Sequence, residues 1–239
     1  MKILPDWLKN GYLRLIDPVA GWLIRLDVNP NTITTVGTLC TVVAGGMYAT
    51  GHIRAAGWFF GLTALFDVLD GVVARRTNRS TVFGAFYDST LDRVSDAAIL
   101  GGLAIFFAID PTHASVPMLV TTLLGLVGTY LTSYTRARAE ALGIDAKIGM
   151  VQRPERVVLL SAPQAFFGLA LGGLVLTSII IFLTVTAWIT VYQRIRAVHA
   201  ATRPQRIERE VVVEPSAEEP RTRPSKYGAA AVGPVLKGE

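Results

Sequence analysis

The sequence predicts an all-α integral membrane protein. Six transmembrane helices are expected, preceded by an interfacial amphipathic helix and followed by a disordered C-terminal tail. Three observations carry this. The 239 residues are 51% apolar and 17% charged, with a mean hydropathy of +0.43, too oily for an ordinary soluble domain. The charges are uneven: residues 1–199 hold 16 Lys+Arg and 12 Asp+Glu, and the last 40 residues hold the other 7 and 6. Six apolar segments also recur at about the ~20 residues that a bilayer crossing needs. Composition therefore excludes a soluble enzyme, a disulfide-stapled secreted module and a DNA-binding domain. Cys40 is the single cysteine and sits in an apolar run, where it packs. The pI near 9.6 reports membrane topology and anionic lipid, with no nucleic-acid partner.

Residues 1–30 form the juxtamembrane segment. Asp6, Lys9, Arg14 and Asp17 interrupt any signal-peptide core. Leu4, Trp7, Leu8, Tyr12, Leu15, Val19, Trp22, Leu23 and Leu26 recur at helical spacing, which puts Trp7 and Trp22 at headgroup depth. Pro30-Asn31 ends this element and caps the next. The membrane domain covers 31–199, with spans near 32–50, 54–75, 83–108, 115–140, 154–172 and 174–196. Gly168, Gly172 and Gly173 mark a turn between the last two, where a five-span alternative stands. Residues 200–239 carry Pro204, Pro215, Pro220, Pro224 and Pro234 among mixed charges, a composition that favours disorder.

Basic residues set the orientation. With a cytoplasmic N-terminus and six spans, Lys2, Lys9, Arg14, Arg25, Arg75, Arg76, Arg79, Arg136, Arg138, Lys147, Arg153, Arg156, Arg194 and Arg196 fall inside. Only Arg54 falls outside, and Arg93 lies within a span. The expected location is the cell membrane, multi-pass, with both ends in the cytoplasm.

Four carboxylates carry the chemistry. Asp67 and Asp70 lie three apart at the end of the second span, Asp88 and Asp92 four apart at the start of the third. Such spacings share a helix face, so two helices joined by a short loop can aim all four at one spot. Unpaired, they would repel one another and be costly to desolvate. An oxygen-only donor set indicates a hard divalent cation, Mg²⁺ or Mn²⁺. The bland alternative is a salt-bridge network with Arg75, Arg76, Arg79 and Arg93. A cation transporter using the same cluster is the alternative from another class, although the acidic residues have no counterpart in the second half of the chain. Gly71 permits close helix packing, and Arg75 lies one turn beyond it. Asp96 continues the series, with a structural hydrogen bond to Ser95 or Arg93 as its expected role. Gly57-x-x-x-Gly61 and Gly168-x-x-x-Gly172 permit close helix crossing.

From Asp67 to Asp92 the text reads D-x-x-D-G-x-x-A-R, eight residues, then G-x-x-x-D-x-x-x-D. It resembles the signature of the CDP-alcohol phosphotransferase family, and the resemblance covers residues 1–198. It implies transfer of a phosphatidyl group from CDP-diacylglycerol to an alcohol, with release of CMP. It further implies Asp67, Asp70 and Asp88 as metal ligands for a pair of ions, and Asp92 as the general base that also touches a metal. Asn31, Thr32, Ile33, Thr34 and Thr81 would meet the CDP-lipid, together with Gly71 and Arg75. The family is generally dimeric, so a homodimer is expected.

The basic residues beyond the signature bear on the acceptor. Arg136, Arg138, Arg153, Arg156 and Arg194 border the cytoplasmic side, and guanidinium groups grip phosphate bidentately, so a phosphorylated acceptor is expected. Ser133 to Glu140, Arg153-Pro154-Glu155-Arg156 and Gln193-Arg194 resemble the phosphatidylinositol-phosphate synthases of actinobacteria. That implies 1D-myo-inositol 3-phosphate as acceptor. Glycerol-3-phosphate, the acceptor of phosphatidylglycerophosphate synthases, is the alternative.

Overall fold

The computed structural model describes residues 6–146 and 148–212, with side chains from Ile16 to Thr202 apart from residue 147. Every regular element among them is helical: α1 Asp6–Arg25, α2 Pro30–Ala49, α3 Ile53–Arg76, α4 Val82–Ile109, α5 Val116–Ala141, α6 Arg153–Phe167 and α7 Leu174–Val212. A 3₁₀ turn, Ala170–Gly173, joins the last two. The chain divides into two compact units, Met1–Ala201 and Thr202–Glu239, and the packing and site described below lie in the first.

By length and composition, α2, α3, α5 and the stretch Ala170–Thr202 are apolar enough to cross a membrane. The expected third and fifth spans are helices of another kind. α4 carries Asp88, Asp92, Arg93 and Asp96 in its first half. α6 has 15 residues, short of the ~20 of a full crossing.

Local chemistry explains the boundaries. Asn29, not Asn31, caps α2: its side chain accepts from the Asn31 N–H at 3.0 Å, and Pro30 takes the first helical position, where no donor is needed. Thr81 caps α4 by accepting from the Gly84 N–H at 2.9 Å. The α6–α7 turn falls where the three glycines put it. Gly168, Gly172 and Gly173 all take positive φ, which stops one continuous helix there. Gly168 and Gly172 are thus turn residues and not a helix-crossing motif. The expected start of disorder at residue 200 is corrected as well, because α7 stays helical to Val212. The remainder of the expected tail, from residue 213, lies outside the described residues, as do the side chains of Leu4, Trp7, Leu8, Tyr12 and Leu15.

α2 packs against α3 and α4, α3 against α6 and α1, and α4 against α5. One core gathers Ala44, Tyr48, Phe60, Leu103, Phe106 and Ile180, and Tyr48 Oη donates to the Leu160 carbonyl at 2.6 Å. A second core joins Ile16 and Ala20 of α1 to Ile33, Leu69, Val72 and Val73. Arg76 and Arg79, expected as topology anchors, also bridge to the N-terminal segment, at 2.6 Å to Asp17 and 2.6 Å to Asp27.

Glycine sets how near the site-bearing helices come. A Cβ on Gly102 would collide with the backbone of Gly45, and one on Gly45 with that of Ala98. Gly57 meets the α6 backbone at Ala165 in the same way, as its spacing suggests, whereas Gly61 would make only ordinary contact with Ser161. Backbone cannot give way as a flexible side chain can. Gly102→Ala is therefore expected to part α2 from α4 and lower the melting temperature in detergent by several degrees, while Gly101→Ala, with open space at its Cβ, leaves it within a degree or two.

Candidate active site

The signature falls on the facing ends of α3 and α4. Asp67 and Asp70 lie in the last three turns of α3, and Asp88 and Asp92 in the second and third turns of α4. Asp88 is within electrostatic reach of Asp67, Asp70 and Asp92, and Asp67 also of Asp70 and Asp92. The four carboxylates thus share one region between two helices without meeting at one spot.

Beside them opens a cleft of about 190 Å³. The start of α2 contributes Pro30, Asn31 and Thr34, the end of α3 Asp70 and Gly71, and the start of α4 Thr81, Gly84 and Asp88. Its lining combines two carboxylates with hydroxyl, amide and glycine groups and the basic Arg79. A Cβ on Gly84 would crowd the capping Thr81 Oγ1 at 3.1 Å and touch Asn31 Oδ1 of α2 at 3.4 Å. Arg75 folds its guanidinium over Gly71, 3.1 Å from where a Cβ would stand. Of the residues expected around a CDP-lipid, Asn31, Thr34, Gly71 and Thr81 line this cleft and Arg75 borders it. Thr32 is exposed outside the lining, and Ile33 is 4% exposed in the core with Leu69 and Val72. Helical rotation explains the split: Asn31 and Thr34 share a face, and Ile33 turns toward α3.

Ion pairs hold the carboxylates in ways that spacing along one helix does not reveal. Thr34 Oγ1 donates to Asp70 Oδ2 at 2.6 Å. Arg153, the first residue of α6, bridges the two signature helices: Nη1 meets Asp67 Oδ2 at 2.5 Å and Nη2 meets Asp92 Oδ1 at 2.8 Å. Arg93 reaches Asp92 at 3.5 Å and Asp96 at 3.7 Å, and it also donates to Ser133 Oγ. Asp96 pairs with Arg156 at 3.1 Å, and Arg156 donates to Thr129 Oγ1 at 3.3 Å. A salt-bridge network thus exists, but its principal partners are Arg153 and Arg156, not Arg75, Arg76 or Arg79.

The five arginines expected to receive an acceptor phosphate stand in different settings. Arg153 and Arg156 belong to the acidic network. Arg194 donates through Nε to the Ile148 carbonyl at 2.8 Å and through Nη1 to the Thr132 carbonyl, tying α7 to α5 and to the loop before α6. Arg136 pairs with Glu140 on the exposed face of α5 at 2.9 Å, and Arg138 is exposed. Arg136 is also within electrostatic reach of Arg194.

The donor set suits a hard divalent cation. It is oxygen-only and acidic, with Asp70 and Asp88 open to the cleft and Arg153 pairing with Asp67 and Asp92. As the side chains stand, no three acidic groups among the described residues converge on a single point. The contacts above give the reason: Thr34 draws Asp70 Oδ2 to one side and Arg153 draws Asp67 and Asp92 to another. Rotation of those carboxylates off their partners would let Asp67, Asp70, Asp88 and Asp92 serve as ligands.

Residues 27–195 match the family model of the CDP-alcohol phosphatidyltransferases. A phosphatidylinositol phosphate synthase of Mycobacteroides abscessus is 36% identical over 194 residues, 81% of this chain and 87% of that one. The crystal structure of a Mycobacterium tuberculosis phosphatidylinositol phosphate synthase with CDP-DAG bound superposes with a TM-score of 0.71 at 32% identity, over 77% of this chain and 94% of that one. The same enzyme in complex with manganese and citrate gives 0.69 at 33% identity, over 76% and 87%. A helical bundle with several apolar helices and a divalent-metal donor set at one end accords with these relatives. The chain is a multi-pass membrane transferase, and it belongs to the CDP-alcohol phosphatidyltransferase family.

Proposed function

We propose that the chain transfers the phosphatidyl group of CDP-diacylglycerol to 1D-myo-inositol 3-phosphate, giving phosphatidylinositol phosphate and CMP. The observation that carries this is the cleft in which Asn31, Thr34, Gly71, Thr81 and Gly84 surround the acidic ends of α3 and α4. The names of the relatives and the CDP-DAG bound in one of them support the same reading. Family membership removes the cation-transporter alternative.

The attacking hydroxyl oxygen forms a bond to the phosphorus that bears diacylglycerol. The pyrophosphate P–O bond breaks, and CMP leaves with the electron pair. Asp92, beside the cleft on α4, takes the hydroxyl proton. Asn31 and Thr81 orient the nucleotide phosphates, with Gly71 allowing close approach and Arg75 closing over it. A pair of Mg²⁺ or Mn²⁺ ions held by Asp67, Asp70, Asp88 and Asp92 would supply charge neutralisation at the pyrophosphate. Arg153, Arg136 and Arg194 supply the positive field for a phosphorylated acceptor. Arg156, already paired within the helix bundle, serves to hold that field in place.

The topology completes the proposal. α2 to α7 make six crossings, with the Ala170–Gly173 turn completing the short α6, and α1 lies in the cytoplasmic interface with exposed Val19 and Trp22 toward lipid. The cleft then faces the cytoplasm, where soluble acceptor and CMP exchange, and two copies form a homodimer.

The test is CMP release by purified protein with each acceptor supplied singly. Inositol phosphate is expected to exceed free inositol, glycerol-3-phosphate and serine by at least tenfold in kcat/KM, since a site built for a phosphate discriminates strongly against its absence. Preference for glycerol-3-phosphate would overturn the acceptor while leaving the reaction class intact.

A further inference from the structure

Arg153 makes contacts that its role toward an acceptor does not explain. Its guanidinium lies between α3 and α4, with one Nη on Asp67 and the other on Asp92. Both carboxylates belong to the expected metal donor set. Its Nε is buried without an acceptor, and its two ion pairs are with groups that a cation would claim. Arg156, one turn along α6, differs: it is 13% exposed in its side chain and fixed by Asp96 and Thr129, neither of them in the signature.

We propose that Arg153 is a built-in counter-ion of the metal-binding carboxylates, and that a divalent cation displaces it toward the acceptor phosphate. The proposal rests on the reaction proposed above and adds an order to it: metal first, phosphorylated acceptor second. The physical argument is competition. A guanidinium and a divalent ion compete at Asp67 Oδ2 and Asp92 Oδ1, because both draw on the same negative charge and the two cations repel. With Arg153 in place, two carboxylates and one cation leave a net single negative charge. A divalent ion makes the stronger counter-charge and sets Arg153 loose.

The side chain can move while its backbone stays. Arg153 opens α6, where the Gln152 N–H donates to Glu155 Oε2 at 3.0 Å and Pro154 fixes the first turn. Several rotatable bonds separate that pinned backbone from the guanidinium. Arg156 lies within electrostatic reach and opposes its staying nearby without an anion. A phosphate would accept from both Nη groups and from the idle Nε. By linkage, the acceptor must then tighten metal binding by the same factor that metal tightens acceptor binding.

The experiment measures Mn²⁺ binding to the full chain in lipid nanodiscs by the electron paramagnetic resonance signal of free Mn²⁺, without CDP-diacylglycerol. In Arg153→Gln the Mn²⁺ Kd is expected to fall about tenfold, within the usual range of such couplings. In the parent, inositol phosphate lowers the Mn²⁺ Kd several-fold, and in Arg153→Gln this effect vanishes. Arg153→Lys keeps the charge without the two-armed bridge and should fall between. A purely structural role predicts no gain in metal affinity in either variant. Unchanged or weaker Mn²⁺ binding in both, or coupling that persists in Arg153→Gln, would overturn the proposal. Should Arg153→Gln fail to insert, Arg153→Lys carries the same decision, and parental Kd in that variant refutes it. Mn²⁺ affinity without acceptor is blind to which alcohol is used, so a wrong acceptor would show in the CMP assay and not here.

Discussion

Asp92→Asn is expected to release CMP about 10³-fold more slowly than the parent while binding CDP-diacylglycerol within a few-fold of it. General-base catalysis is worth roughly 10²–10⁴ in rate, and the amide keeps the shape of the carboxylate but cannot accept the proton. Its neighbours make the substitution well tolerated. Arg153 and Arg93 both contact Asp92, and each keeps a second carboxylate when that charge is removed, Asp67 for the first and Asp96 for the second. The helix should therefore stay in place, and the loss should fall on kcat more than on KM. Single-turnover CMP release beside equilibrium binding of CDP-diacylglycerol separates the two. Turnover within tenfold of the parent would move the base elsewhere and leave Asp92 as a ligand alone.

What the sequence revealed was local in the chain. Asp67, Asp70, Asp88 and Asp92 follow from i+3 and i+4 spacing on two helices separated by five residues, Thr77 to Thr81, and the helices form where the apolar runs end. The cleft residues Asn31, Thr34, Gly71 and Thr81 came from a family resemblance, and the structure brings them together. Ile33 lies outside the cleft lining because contiguous motif letters do not share a helix face. The arginine partners were out of reach for a different reason. Arg153 and Asp67 are 86 positions apart, and no periodicity reports which way a side chain at the head of α6 will turn. The same basic text suits an anchor, a phosphate ligand or a counter-ion, and only the packing of α3 against α6 distinguishes them. α4 shows the converse. Its charges lower its hydropathy below that of an ordinary span, yet Asp92, Arg93 and Asp96 find partners within the bundle.

Asp96→Ala is expected to fail as a protein where Asp92→Asn fails as a catalyst. The two carboxylates are four residues apart on one face of α4, yet their settings differ. Asp96 is 10% exposed in its side chain and faces Arg156 at 3.1 Å, itself 13% exposed, with Arg93 at 3.7 Å. Removing the carboxylate leaves the Arg156 guanidinium with Thr129 Oγ1 alone, and its Nε already lacks a partner. An uncompensated buried charge costs about 3–5 kcal/mol, and more where lipid replaces water around the bundle. The melting temperature of detergent-purified Asp96→Ala should drop by roughly 10 °C or more, with reduced yield of inserted protein. Asp96→Leu combined with Arg156→Met removes both charges and fills the space with apolar atoms, so it should recover most of that loss. Recovery of the fold with little recovery of turnover is the expected pairing, since Arg156 also shapes the field around Arg153. If Asp96→Ala melts with the parent, the pair contributes no stability, and Asp96 must be moved from the scaffold to the chemistry.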